Sequence, residues 1–111
     1  MKTLDLSYIE SVCDGDQELM QELIDVFVMQ VPEFFEEFDT AFQAKDAVTL
    51  SKIAHKAKST VSIMGLSDLA EKLSKLEQEA SEGAFSEDYI EYITFFKEEC
   101  NWTVEELKKR A

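Results

Sequence analysis

Apolar residues recur along this chain in alternating steps of three and four, the spacing that lines one face of an α-helix. Leu6, Ile9, Val12 and Cys13 predict a short helix over about residues 5 to 13, with Ser7 and Glu10 as a capping box and Asp14-Gly15 as its end. Asp16 is the expected N-cap of a second helix. Its stripe, Leu19, Met20, Leu23, Ile24, Phe27, Val28 and Val31, continues in register past Pro32 through Phe34, Phe35, Phe38, Ala41 and Phe42. One long helix kinked at Pro32 and running to about Lys45 fits that pattern, roughly 40 Å at 1.5 Å per residue.

Asp46 is the next N-cap, and Leu50, Ile53, Ala54, Ala57, Val61 and Met64 mark the buried face of a third helix that stops at Gly65. Ser67 is the expected cap of a fourth helix, with Leu69, Leu73, Leu76 and Ala80 inward until Gly83. Ser86 begins a fifth, with Tyr89, Ile90, Ile93, Phe96, Cys100, Val104 and Leu107 inward. Within it, Thr103 and Glu106 could form a new capping box after a break at Asn101 and Trp102. Long amphipathic helices joined by short turns bury their stripes only against one another. The expected fold is therefore all-α, an antiparallel up-down-up-down four-helix bundle with a short additional N-terminal helix over one end.

Three glycines and one proline in 111 residues leave little turn chemistry for a β fold, and the length suits a single domain spanning 1–111 with no internal repeat. A formal charge of −13 argues against nucleic acid and anionic membrane surfaces as partners. No apolar run reaches the roughly 20 residues that cross a bilayer, and the opening MKTLDLSYIE lacks the layout of a secretory signal, so a cytoplasmic protein is expected. Cys13 and Cys100 are expected to be buried, reduced thiols, and one histidine with two scattered cysteines makes no metal site.

The only histidine, His55, falls roughly 140° from the centre of the third helix's apolar stripe, well outside the expected buried face. On the same outer arc lie Ser51 and Ser59 four residues either side, Ser62 beyond them, and Lys52 and Lys58 three residues either side. Small neighbours leave the imidazole standing clear. Residues 45 to 75 hold six lysines (45, 52, 56, 58, 72 and 75) against Asp46, Asp68 and Glu71, a local balance of +3 in a chain of net −13. A neutral imidazole is a nucleophile, and lysines beside it can stabilise a phosphoryl group. Spacing alone favours an incidental, solvated histidine.

The wording of the stretch adds to this. AHKAKSTVSIMG, residues 54 to 65, resembles the signature of histidine-containing phosphotransfer (HPt) domains, with Ala54, His55, Lys58, Ser59 and Gly65 matching. Upstream, FDTAFQAKDAVTLSKIAH resembles the family's approach to its histidine helix, and downstream LAEKLSKLE resembles its next helix, with the Leu76-Glu77 pair in place. The likeness covers about Leu19 to Glu77. Ala57 stands where the family often has leucine and Ser59 where it often has glycine, and both leave access open.

The resemblance implies a phosphorelay intermediate whose phospho-accepting helix spans about 47–64. His55 would be phosphorylated transiently, on Nε2, and exchange the group with an aspartate of a response-regulator receiver domain. Lys58 would stabilise the phosphoryl group and Ser59 would permit approach, with Ser51, Lys52, Lys56 and Ser62 as docking candidates. The implied partners are receiver domains and a hybrid sensor histidine kinase. The chain, expected to be a monomer, would bind no cofactor, and Mg²⁺ would belong to the receiver. No nucleotide-binding motif is present, so phosphate must come from another protein. Two other readings of the same face are a non-catalytic acidic adaptor and the phosphoacceptor domain of a chemotaxis-type kinase.

Overall fold

A computed structural model describes residues 4–109; positions 1–3 and 110–111, the ends of the expected 1–111 domain, lie outside the described residues. These residues form five helices and no strand: α1 (Ser7–Val12), α2 (Gln17–Gln43), α3 (Ala47–Ile63), α4 (Ser67–Ala80) and α5 (Tyr89–Lys109). Neighbours in sequence are neighbours in space. The ring α2–α3–α4–α5 closes through an α2–α5 contact, α1 touches α2 and α3, and the α3–α4 pair is the most extensive of all.

Asp16 and Asp46 cap α2 and α3 as expected, Asp16 accepting from Glu18 N and Leu19 N, and Asp46 from Thr49 N. α2 runs unbroken through Pro32, whose missing N–H withdraws one bond from the Val28 carbonyl on a helix otherwise held by its buried stripe. It stops at Gln43 rather than Lys45, because Lys45 turns left-handed at φ 55° and its N–H and that of Asp46 bond back to Phe42 and Ala41.

Three capping expectations are corrected. Ser7 is the first residue of α1 and caps nothing; Asp5 accepts from its N–H instead. Ser67 likewise sits inside α4, whose cap position is Leu66. α5 continues through Asn101 and Trp102, and Thr103 is fully buried with its hydroxyl donating to Glu99 O, so no new helix starts there. Ser86 does act at the entry to α5, accepting from Asp88 N.

The interior is centred on Phe96, which meets Phe34, Phe35 and Phe38 edge-on at centroid separations of 6.1, 5.8 and 5.2 Å. Such pairs add roughly 0.5–1.5 kcal/mol each beyond the area they bury. Cys13 and Cys100 are buried and free, and burial pushes the Cys100 thiol up to about 12. Val12, Leu19 and Ile90, expected inward, are instead exposed. Buried Ala47, Ala54, Ala57 and Ala80 line α3 and α4 and let those two backbones approach closely.

Candidate functional site

α3 carries Ser51, His55 and Lys58 at positions i, i+4 and i+7, which place the three on one side of a helix. That side faces α4, and all three meet one residue there. The Ser51 hydroxyl donates to the Glu77 carbonyl at 2.8 Å, His55 Nδ1 lies 2.9 Å from Glu77 Oε2, and Lys58 Nζ donates to Glu77 Oε1 at 3.1 Å. Glu77 thus holds the histidine from its base.

The ring itself remains in solvent. The His55 side chain is 61 % exposed, and its Nε2 has no hydrogen-bond partner among the described residues. Burial pushes the Glu77 carboxyl up, but hydrogen bonds from Lys58 and His55, with their charges, outweigh it and hold the group below its ordinary 4.5. Glu77 is therefore an ionised, acceptor-only partner at neutral pH. It follows that Nδ1 carries the proton, and that the lone pair of a neutral ring sits on outward-facing Nε2.

The other expected site residues divide. Ser59 is exposed and its hydroxyl folds back toward His55 O at 3.5 Å, leaving the ring's C-terminal flank low. Lys52 and Ser62 are exposed. Lys56 points the other way and pairs with Glu37 of α2 at 3.3 Å, close to where Thr60 donates to Gln30. Ser51 was expected on the outer arc; it is buried, and its hydroxyl ties α3 to α4. Its place is in the seam beneath the histidine.

In the sequence Glu77 has no role of its own beyond its place in the Leu76-Glu77 pair of the family resemblance. The available signal was its place four residues after Leu73 on a helix expected to pack beside α3. Exposed Ile63, one turn beyond Ser59, adds apolar surface near this end of α3, whereas exposed Met29 lines a groove with Leu107 and Lys108 of α5. A groove of about 730 Å³ between α4 and α5 is lined by residues that include Tyr89, Tyr92 and Phe95 and holds none of the site residues. Among the described residues no cluster of His, Cys, Asp and Glu could hold a metal ion, and no helix is long and apolar enough to cross a membrane.

The family model described as the Hpt domain matches residues 22–109, from the second turn of α2 to the end of α5. The chain belongs to the Hpt domain family. Comparison with curated proteins and with solved structures returned no match. Hpt domains work in phosphotransfer within two-component signalling, where they interact with response regulators and kinases. The match includes His55, Lys58 and Glu77 and leaves α1 outside it.

Proposed function

We propose that this Hpt domain relays a phosphoryl group between aspartates of response-regulator receiver domains through a phosphohistidine at His55. The carrying observation is the asymmetric imidazole, with Nδ1 fastened to Glu77 at 2.9 Å and Nε2 free in solvent. The Nε2 lone pair attacks the phosphorus of the receiver's aspartyl phosphate in line as the P–O bond to the aspartate breaks and its electron pair returns to that carboxylate. The ring keeps its Nδ1 proton, and the positive charge it gains lies against Glu77. The reverse sequence hands the group on.

Lys58 supports the incoming phosphoryl oxygens, and the small, folded-back Ser59 clears the approach. Lys52 and Ser62 lie on the docking face; exposed Ile63 supplies apolar area beside it. Lys56, held by Glu37, stands at its far margin. Mg²⁺ and most of the charge neutralisation come from the receiver, and a hybrid sensor kinase supplies the phosphate. The domain works as a cytoplasmic monomer on an up-down-up-down bundle, whose rigidity keeps α3 and α4 in register under the site.

The test is incubation with phosphorylated receiver domains and analysis for acid-labile, base-stable label at residue 55. Label is expected on His55 and none on a His55→Ala variant. Equal labelling of that variant removes His55 from the mechanism.

A further inference from the structure

The partner of Nδ1 is a carboxylate rather than a neutral amide, and that choice bears on what happens after phosphorylation. Once Nε2 is bonded to phosphorus the ring can keep its Nδ1 proton or lose it to solvent. With the proton kept, the ring departs as neutral imidazole when the N–P bond breaks and its electron pair returns to Nε2. With the proton lost, it would depart as imidazolate, a far poorer leaving group. The protonated form is the one that gives its phosphoryl group away.

Resting on the reading above that Nε2 takes the phosphoryl group, we propose that Glu77 is a positioning residue that keeps the phosphorylated ring protonated and so makes phospho-His55 a short-lived, ready donor. Glu77 Oε2, at 2.9 Å from Nδ1, offers only lone pairs. A bare Nδ1 would face them without a proton between, whereas a protonated one makes a charge-assisted hydrogen bond. The remaining charges near the ring act less directly. Lys58, on the same helix, is held by the other Glu77 oxygen at 3.1 Å. Lys52 precedes the ring by three residues, and on the α2 side Lys56 and Glu37 neutralise each other at 3.3 Å. Phosphorylation draws Lys58 toward the new dianion, which frees Glu77 to attend to the ring alone. A glutamine at 77 would keep the shape but could turn its amide N–H toward a bare Nδ1, and so stabilise the slow form.

The experiment phosphorylates the folded protein with a small phosphoramidate donor, which needs no receiver, and follows loss of label from residue 55 between about pH 6 and about pH 9, the range where an imidazole titrates. Wild type, Glu77→Gln, Lys58→Met and the double variant are compared, with helical circular dichroism as the check of folding. Glu77→Gln should retain label about fivefold longer near neutrality, the difference between a charge-assisted and a neutral hydrogen bond, and its profile should move to lower pH. The same ratio should persist in the Lys58→Met background and vanish in denaturant. Equal or shorter retention in Glu77→Gln would overturn the inference, as would loss of the difference when Lys58 is removed, because Glu77 would then act only by masking the lysine. These lifetimes stand apart from the relay. A receiver that exchanges no label with His55 refutes the proposed function, and equal lifetimes refute only the role of Glu77.

Discussion

Replacing Ser51 by alanine separates a residue that clasps two helices from one that greets a partner. The hydroxyl lost is buried and donates to the Glu77 carbonyl at 2.8 Å. That carbonyl also accepts from Ser81 N at 3.0 Å within the turn that ends α4, so the substitution leaves no orphaned acceptor. The cost is then one ordinary hydrogen bond, about 1 kcal/mol, without the larger penalty of an unsatisfied buried group. For a domain near 100 residues this lowers Tm by about 4–8 °C. Urea denaturation should give a lower midpoint at unchanged slope, because the surface exposed on unfolding is the same. Labelling of His55 should remain, since Glu77 is also tied to α3 through His55 and Lys58. A variant with wild-type midpoint but weakened receiver binding would refute the clasp and restore Ser51 to the docking face.

Phe96→Ala empties the ring cluster of three edge-on partners and should cost about 3–5 kcal/mol, enough to bring a domain of ordinary stability close to unfolding at 37 °C, as urea denaturation would report. Gly65→Ala and Lys45→Gly should move the urea midpoint in opposite directions. Gly65 is left-handed at φ 77° and a Cβ there would lie 3.0 Å from Tyr8 Cβ, so alanine costs about 1–2 kcal/mol or more; Lys45 pays for a side chain at φ 55°, so glycine stabilises by up to about 1 kcal/mol. The Tyr92 hydroxyl is pushed up to about 12, first by its hydrogen bond to Glu79, then by burial and nearby carboxylates. Neutral Tyr92 therefore adds stability that is present below its ordinary 10.0 and lost as pH rises toward about 12, an alkaline loss that Tyr92→Phe should diminish and absorbance titration should locate. At the acid end Glu77, held below 4.5, contributes stability present above that value and lost as pH falls through its lower folded value; Glu77→Gln should flatten this limb of midpoint against pH.

The helices were legible because their apolar rhythm is long and regular, and because Asp16 and Asp46 cap in the ordinary way. The α3–α4 turn was not, for a reason local to its backbone. Leu66 N bonds Val61 O and Gly65 N bonds Ser62 O, the pattern that closes a helix on a left-handed residue, and Leu66 is at the same time the cap residue of α4. With one residue serving both helices, Ser67 is already inside the second. Ser51 was misplaced for a geometric reason. A wheel centred on the apolar stripe treats burial as one arc, but α3 is flanked on both sides. Ser51 and Lys58 lie about 80–100° to one side and meet α4, while Thr60 and Lys56 lie about 80–120° to the other and meet α2. His55, at about 140°, is far enough round to clear α4 with its ring tip while its base still reaches Glu77.

The same flanking changes what the local charge means. Counting residues 45 to 75 leaves out Glu77 and Glu37, which reach α3 from the helices on either side and pair with Lys58 and Lys56. Charge along a stretch of sequence is therefore not charge on the face it forms, and the ammonium groups nearest the histidine are less available than their number suggests. For the proposed phosphotransfer this has a definite consequence. Lys58 already has a partner 33 % exposed on its own side and 27 % on the carboxylate's, so its contact with a phosphoryl group replaces an existing one. What Lys58 adds to phosphoryl binding is the difference between two charge-assisted contacts, which is smaller than either, and the carboxylate it leaves behind is the one whose remaining neighbour is the ring.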